Sequence, residues 1–221
     1  MTYRSMAGRK RTAFAKRLFD IVVASCALVL LSPLLLAIAA LVRIRLGSPI
    51  IFRQQRPGLG GRGFTLYKFR TMINETVDAN GDPIDSVNRT PHWAYRVRSM
   101  SLDELPELWN VIKGDMSLVG PRPLLMDYLS RYSPHQARRH EVRPGITGLA
   151  QVSGRNAIGW RERFDLDVRY VDEHDMRMDL DIIRRTIDTV ISREGIRHAE
   201  DDDMPMFLGS EGGDATGSTA G

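Results

Sequence analysis

The 221-residue sequence contains little cysteine and few aromatic residues. Its one cysteine, Cys26, lies in an apolar run, so an internal disulfide is excluded, which fits a reducing compartment. Aromatic residues make up 7% of the chain and no nucleic-acid-binding motif is visible, so we expect no nucleic-acid partner. The glycine-rich segment Gly58–Gly63 lacks the spacing of a dinucleotide fingerprint or a P-loop, and it favours a hairpin turn.

Acidic residues are missing from a long interval of the chain. No Asp or Glu occurs between Ile21 and Asn74, although the whole sequence has 27 acidic residues. The basic residues in that interval are Arg43, Arg45, Arg53, Arg56, Arg62, Lys68 and Arg70. Charge of a single sign favours an anionic partner, which could be lipid phosphate, a nucleotide or nucleic acid, and the last is already disfavoured by the low aromatic content and the lack of a binding motif.

An uncharged apolar run extends over the 22 residues from Ile21 to Val42. This length matches a membrane helix, which needs about 20 apolar residues. It exceeds the core of an ordinary signal peptide. The run is also apolar on all faces, which argues against a helix buried on one side of a soluble domain.

Two features of this run predict a re-entrant helix instead of a simple span. Basic residues flank both of its ends, namely Arg9, Lys10, Arg11, Lys16 and Arg17 before it and Arg43 and Arg45 after it. The positive-inside bias therefore draws both ends to the cytoplasmic side. Pro33 should kink the helix in the middle, and the preceding Ser32 can bond a carbonyl that the kink frees.

The whole pattern predicts an α+β fold that is mostly α, in three parts. These are a basic arm with the re-entrant helix (1–46), a cytoplasmic domain (47–200) and a disordered acidic tail rich in Gly, Ser and Thr (201–221). For the cytoplasmic domain we expect a β-hairpin in Pro49–Met72, a polar loop over Ile73–Trp93, helices around Glu104–Lys113 and Leu124–Tyr132, an irregular segment Val142–Asn156, and amphipathic helices near Ile158–Glu173 and Leu180–Arg193. The two amphipathic helices suit either a homodimer or the membrane surface.

Two adjacent acids, Asp103 and Glu104, are candidates for chemistry. Ser101 and Glu104 match a capping box, which would make Pro106 the fifth helical residue. With Asp103 as the cap, Pro106 falls third, where its missing donor is tolerated. Both alternatives put two carboxylates at a helix N-terminus. The pattern alone leaves a structural cap and a catalytic pair equally open.

Basic residues near these acids favour the catalytic interpretation. Arg122 lies between Pro121 and Pro123, and a guanidinium on so stiff a backbone suits bidentate binding of phosphate. Arg155 lies in a second tight loop, Ser-Gly-Arg-Asn. Carboxylates beside arginines indicate a metal-assisted phosphoryl site. Its metal would be Mg²⁺, which prefers oxygen ligands and bridges diphosphates.

Five sequence blocks together resemble the bacterial sugar transferase family, the monotopic phosphoglycosyl transferases. In chain order they are KRLFDIVVA…SP, GSPIIFRQQRPG, YKFRTM, SLDELPELWNVIKGDMSLVGPRP and RHEVRPGITGLAQVSGRNAIGW, within about Lys16 to Gly195. The stretch RPLLMDYLSRYSPHQARRHEVRPGITG and the insertion DANGDPI favour the subgroup that transfers N,N′-diacetylbacillosamine 1-phosphate to undecaprenyl phosphate. One departure is VNRTPHWAYRVRSM, which lacks the family's usual R-x-T-x-x-G run and leaves the local loop and the choice of sugar open.

The resemblance implies a role for each matching residue. Asp103 matches the nucleophile and Glu104 its dyad partner. Both acids are candidate ligands for Mg²⁺, and the sequence does not separate metal binding by Glu104 from a role as a base. The positions that match basic residues of the active site are Lys68, Arg98, Arg122 and Arg155. Ser32 and Pro33 match the break in the re-entrant membrane helix.

The resemblance also implies a reaction and a location. The substrates would be a UDP-sugar and undecaprenyl phosphate, and the reaction would release UMP through a covalent aspartyl-phosphosugar. The enzyme would act at the cytoplasmic face of the bacterial inner membrane, in contact with its lipid, at the first membrane step of glycoconjugate synthesis. A rival hypothesis is a non-enzymatic membrane scaffold that binds anionic lipid, with the acids as helix caps. Magnesium-dependent release of UMP separates the two.

Overall fold

A computed structural model of the chain describes residues 6–74, 88–154, 158–192 and 206–209. Its α-helices are α1 Met6–Leu30, α2 Ser32–Leu46, α3 His92–Ser99, α4 Glu107–Lys113, α5 Pro134–Ala137, α6 Leu149–Val152, α7 Trp160–Glu173 and α8 Met176–Ser192. Its strands are β1 Ile51–Pro57, β2 Gly63–Phe69, β3 Ser117–Val119 and β4 Gly145–Thr147. Short 3₁₀ turns lie at Leu59–Gly61, Leu102–Glu104, Met126–Arg131 and Arg138–Glu141. The mostly helical α+β class is therefore confirmed.

The apolar run forms two helices that meet at a bend. The axes of Ala13–Leu30 and Ser32–Leu46 differ by 63°. The Ser32 hydroxyl donates a hydrogen bond to the Val29 carbonyl at 2.8 Å, and Pro33 lies in the first turn of α2, where its missing N–H costs little. The bend thus falls at the predicted kink.

No described helix is, by itself, long and apolar enough to cross a membrane, although the bent pair qualifies by length and composition. Around the bend, Val29, Leu30 and Leu36 are each more than 70% exposed. An apolar surface of this kind marks an interaction site, and it fits contact with lipid. The re-entrant arrangement itself stays a prediction.

The first part of α1 also packs into the core formed with the elements that follow the hairpin. Lys16 donates to the Asp179 carboxylate at 2.7 Å, and the buried Asp20 accepts from the Ser117 hydroxyl at 2.8 Å. Arg17 donates to the last carbonyls of α4 at 2.7 and 2.9 Å. Ala24 lies in the same hydrophobic cluster as side chains of α4 and α8. The domain boundaries at 46 and 200 stay predictions. However, α1 packs against residues that follow the boundary at 46.

The hairpin is formed as predicted. Strands β1 and β2 pair antiparallel, with Ile51 opposite Phe69 and Pro57 opposite Gly63. Just after β2, the buried Arg70 donates to the carbonyls of Leu46 and Ser48. This guanidinium joins the end of α2 to the hairpin, which places the bent helix pair beside the site described below.

Several local predictions differ from the structure. The polar loop expected over 73–93 falls partly on residues 75–87, which lie outside the described residues, and α3 begins inside its last part. The helix expected at 124–132 is a 3₁₀ turn. The segment expected to be irregular contains β4, which pairs in parallel with β3, and α6. Elements of three or four residues are too short to show a periodicity of hydrophobic residues.

Three glycines bring two loops into backbone contact. A Cβ atom added at Gly145 would lie 2.1 Å from the backbone nitrogen of Gly120, and one added at Gly148 would lie 2.2 Å from the Gly120 carbonyl oxygen. Only residues without a side chain fit this contact. It holds the start of the Pro121–Pro123 loop against β4, and Arg122 is carried on that loop.

A short segment near the C-terminus packs against an aromatic cluster. Phe207 is 5% exposed and lies among the rings of Tyr128, Tyr132, Trp160 and Phe164. Its backbone N–H donates to the Tyr128 hydroxyl, and its carbonyl accepts from Arg131 at 2.6 Å. The prediction of disorder from Asp201 onward is therefore wrong at Phe207, because its ring is buried. Residues 201–205 and 210–221 lie outside the described residues.

Candidate active site

The two adjacent acids lie in a 3₁₀ turn one step ahead of α4. Ser101, just before the turn, has φ 54°, a left-handed conformation that a non-glycine residue rarely adopts. Its side chain makes no capping hydrogen bond to the described backbone, and α4 begins only at Glu107, after Pro106. Ser101 therefore occupies the cap position of the 3₁₀ turn without the side-chain bonds of a capping box, and the expected start of α4 directly after Asp103 is wrong. A proline ring clashes with the carbonyl four residues earlier in a continuous helix, so the helix starts behind it.

Glu104 is held by two cations. Its Oε1 accepts from Lys68 Nζ at 2.7 Å and from Arg122 Nη2 at 2.5 Å, and Arg122 Nη1 lies 3.4 Å from Oε2. Burial alone would raise the pKa of Glu104, but the charges of Arg122 and Lys68 outweigh it and hold that pKa well below its usual range. Glu104 is therefore an ionised anchor for two basic side chains.

A third acid, Glu107, belongs to this cluster, and the sequence analysis did not identify it. Its side chain is buried, with Oε1 3.2 Å from Lys68 Nζ, so Lys68 is shared between two glutamates. Burial and the negative charge of Glu104 raise the pKa of Glu107 to about 7. Its spacing of three residues from Glu104 was the available signal, because such residues lie on one face of a helical segment.

Asp103 differs from both glutamates. Its carboxylate makes no hydrogen bond or ion pair with any residue that the structure describes. Burial, followed by the charge of Glu104, raises the pKa of Asp103 to about 6, and Lys68, Arg98 and Arg122 oppose that rise. At neutral pH the group is therefore mostly ionised. An ionised carboxylate whose oxygens have no partner among the described residues can act as a nucleophile or as a metal ligand.

The structure brings most of the predicted site residues together. Asp103, Glu104, Lys68 and Arg122 form one cluster, and Arg98 on α3 contributes positive charge toward Asp103. Arg155 lies outside the described residues, so its predicted place in the site stays a prediction.

The backbone of Arg122 is held from inside the protein. The buried Arg139 donates from Nη2 to the Arg122 carbonyl at 2.7 Å and pairs with the buried Asp167 at 2.7 Å. Its Nη1 donates to the Tyr132 hydroxyl at 3.3 Å. Because Tyr132 also contacts Phe207, the aromatic cluster supports the loop that carries Arg122.

The donor set fits Mg²⁺ only in part. No group of three or more His, Cys, Asp or Glu side chains is arranged to hold a metal among the described residues. The Glu104 carboxylate is already shared by Lys68 and Arg122, which leaves Asp103 as the available ligand. Mg²⁺ is often bound through one or two carboxylates together with substrate phosphates and water. The residues therefore fit an ion that arrives with a phosphate substrate, and they do not form a closed protein cage.

Known proteins similar to this chain include sugar transferases. The family profile described as Bacterial sugar transferase matches residues 11–193. The Bacillus subtilis protein described as uncharacterized sugar transferase EpsL is 51% identical over 195 residues, which is 88% of this chain and 96% of that protein.

Two further relatives have names that state a reaction. The UDP-glucose:undecaprenyl-phosphate glucose-1-phosphate transferase of Caulobacter vibrioides is 38% identical over 191 residues, 81% of this chain and 70% of that protein. The UDP-N-acetylgalactosamine-undecaprenyl-phosphate N-acetylgalactosaminephosphotransferase of Aeromonas hydrophila is 38% identical over 193 residues, 84% of this chain and 45% of that protein. Neither name mentions bacillosamine.

Proposed function

The chain belongs to the bacterial sugar transferase family and is a transferase enzyme, and from that premise we propose that it acts as a membrane-associated phosphoglycosyl transferase. It would move a sugar 1-phosphate from a UDP-sugar to undecaprenyl phosphate and release UMP. The observation that carries this proposal is the contrast between two neighbouring acids. Asp103 is ionised with idle oxygens, while Glu104 binds Lys68 and Arg122 beside it.

The proposed reaction has two displacements at one phosphorus. In the first, an Asp103 carboxylate oxygen attacks the sugar-bearing phosphorus, the bond to the bridging oxygen breaks, and UMP leaves with that electron pair. This forms a covalent aspartyl-phosphosugar. In the second, a phosphate oxygen of undecaprenyl phosphate attacks the same phosphorus and Asp103 leaves as a carboxylate. The product is an undecaprenyl diphosphate sugar.

The neighbouring residues compensate for the weak nucleophilicity of a carboxylate. Orientation and charge neutralisation have to lower the barrier, because both reactants are anionic. Arg122 keeps one edge on Glu104 while 36% of its side chain is exposed, so the rest of its guanidinium can face a diphosphate. We assign Lys68, Arg98 and Arg155 to the same task. Mg²⁺ held through Asp103 would add positive charge to the diphosphate.

The identity of the sugar is a finer proposal. The sequence blocks favour UDP-N,N′-diacetylbacillosamine or a related UDP-N-acetyl amino sugar. The names of the relatives include glucose, galactose and N-acetylgalactosamine, so the family serves more than one sugar. The product would enter glycoprotein, capsule or O-antigen assembly.

The membrane arrangement is also proposed. The bent helix pair would dip into the cytoplasmic face of the inner membrane and return, with its exposed apolar side chains in lipid. Arg70 joins the end of α2 to β2, and Lys68 lies two residues earlier, so the site would sit at headgroup level. The exposed Leu180 and Ile187 of α8 fit the same surface or a second copy of the chain.

The decisive experiment offers a panel of UDP-sugars with short-chain polyprenyl phosphate and scores the release of UMP with and without Mg²⁺. We expect one or a few of the UDP-sugars to be turned over. Turnover should occur in sealed inverted membrane vesicles and not in intact cells, because UDP-sugars do not cross a membrane. Absence of UMP release from every sugar would support the lipid-binding scaffold instead. Turnover by intact cells would overturn the cytoplasmic placement.

The pKa of Asp103 predicts a pH dependence. The nucleophile works ionised and its pKa is raised to about 6, so the protonated, inactive form accumulates below that pH. We expect kcat/KM for the UDP-sugar to fall as the pH drops through about 6 and to level off above about 7. The measurement is initial-rate UMP release from pH 5 to 8. A profile that is flat down to pH 5 would contradict the assignment, and a vesicle-leakage assay at each pH serves as the control.

A further inference from the structure

Arg56, near the end of β1, lies beside the loop that carries Arg122. Its Nη1 is 3.5 Å from the Pro123 carbonyl oxygen, at the limit of a hydrogen bond, and its Nη2 donates to the Gln54 side chain at 2.7 Å. Its Nε is buried and has no hydrogen-bond partner in the described chain. Arg56 also forms no ion pair with any described carboxylate. Most of the five N–H donors of Arg56 are therefore without a hydrogen-bond acceptor among the described residues.

Among the described residues, Arg56 lacks the carboxylate partner that the neighbouring cations have. Arg122 is matched by Glu104, and Lys68 is shared by Glu104 and Glu107. Burial and the positive charge of Arg122 lower the pKa of Arg56, and the charges of Glu107 and Glu104 oppose that shift without forming an ion pair with Arg56. A half-buried guanidinium beside the Arg122 loop, with an unpaired Nε and no ion-pair partner among the described residues, favours an anionic ligand at this place.

We propose that Arg56 is a second phosphate-binding residue, which acts with Arg122 on the oxygens of one phosphate ester. This deepens the proposed function and rests on it. Guanidinium groups bind phosphate oxygens in a bidentate manner, and two of them can grip a group that bears more than one negative charge. Pro57 follows Arg56 directly and restricts the backbone there, which limits the positions that the guanidinium can adopt.

Two phosphate esters share this chemistry. One is the diphosphate of the UDP-sugar, and the other is the headgroup of the polyprenyl phosphate. Kinetics can distinguish these two phosphates. In a two-step reaction through a covalent intermediate, the UDP-sugar and the polyprenyl phosphate each have a KM of their own, and only the KM of the substrate that Arg56 contacts should change.

The test compares Arg56→Gln and Arg56→Lys with wild type and with Arg53→Gln. Arg53 is an exposed arginine on the same strand, three residues away and therefore on the opposite face of β1. We expect Arg56→Gln to raise the KM of one substrate by about tenfold or more, with kcat changed by less than about threefold, an effect of one lost charged contact. For Arg56→Lys the KM of that substrate should lie between the values for wild type and Arg56→Gln, and for Arg53→Gln it should equal the wild-type value. The substrate whose KM rises identifies the phosphate.

A separate binding measurement distinguishes this inference from the proposed function. Inorganic pyrophosphate is titrated into the purified full-length protein by calorimetry. If wild type binds it and Arg56→Gln does not, while no UDP-sugar yields UMP, then the phosphate site stands and the proposed function fails. If UMP release is normal and both KM values are unchanged in Arg56→Gln, the inference is overturned. Should Arg56→Gln fail to fold, unchanged KM values in Arg56→Lys overturn it equally.

Discussion

Asp103→Asn should abolish the release of UMP, with a loss on the order of 10³-fold or more, as expected when the nucleophile of a covalent reaction is removed. An amide has nearly the same shape as the carboxylate but does not attack phosphorus. Since the Asp103 carboxylate makes no hydrogen bond or ion pair with the described residues, the substitution should leave the fold and the melting temperature almost unchanged. Loss of activity in a folded protein is therefore the expected signature.

Two comparisons sharpen this prediction. Asp181→Asn makes the same chemical change at an exposed position of α8 and should retain full activity. Intact-mass analysis of the wild type with UDP-sugar alone should reveal the aspartyl-phosphosugar adduct, which Asp103→Asn should not form. Near-normal turnover by Asp103→Asn would rule out the covalent scheme. Glu104→Gln should reduce turnover without removing the adduct, because it weakens the hold on Lys68 and Arg122 and leaves the nucleophile in place.

Gly145→Ala is expected to have the largest effect on stability. The added Cβ would lie 2.1 Å from the Gly120 nitrogen, 2.5 Å from the Thr147 oxygen and 2.7 Å from the Val119 carbonyl carbon. All three neighbours are backbone atoms and cannot turn away as a side chain can. Overpacking of a core usually costs about 1–3 kcal/mol. We expect a loss of at least about 3 kcal/mol here, which is a large part of the total stability of a typical domain.

The measurement for Gly145→Ala is the thermal transition of the detergent-solubilised protein, together with UMP release. The matched control is Gly159→Ala, since a Cβ at Gly159 meets no described atom within 4 Å. We expect Gly159→Ala to have the melting temperature of the wild type. Gly145→Ala should have a far lower melting temperature or fail to accumulate as folded protein. Because Arg122 follows the contact closely, turnover should fall with it. Equal melting temperatures for the two variants would show that the glycine contact is loose.

The features that the sequence predicted well are local. A proline such as Pro33 cannot continue a helix that precedes it, so the break between α1 and α2 is a local effect. The hairpin over β1 and β2 is marked by a glycine-rich turn between two short strands. The grouping of Asp103 with Arg122 was expected from the stiff Pro-Arg-Pro segment near the acids, whereas that of Asp103 with Lys68 was expected only from the family resemblance.

The features that it did not predict depend on contacts between distant parts of the chain. Glu107 resembles an ordinary first-turn acid until Lys68 is seen to approach it from β2. Phe207 lies in a polar tail, and its burial depends on aromatic rings that are 43 to 79 residues away, from Phe164 back to Tyr128. The parallel pairing of β3 and β4 joins residues 28 positions apart in two segments of only three residues, which carry no periodic signal.

The contacts of α1 also determine the order in which the protein can be completed during synthesis. Lys16 and Asp179 are 163 residues apart, and Asp20 and Ser117 are 97 apart. At a translation rate of about 5–20 residues per second, the first helix remains without its last partner for roughly 10 to 30 s. Its apolar continuation emerges from the ribosome early in that interval. If the bent helix pair inserts as proposed, the nascent chain would enter the lipid before its catalytic half exists, and the membrane would be the first surface against which this enzyme folds.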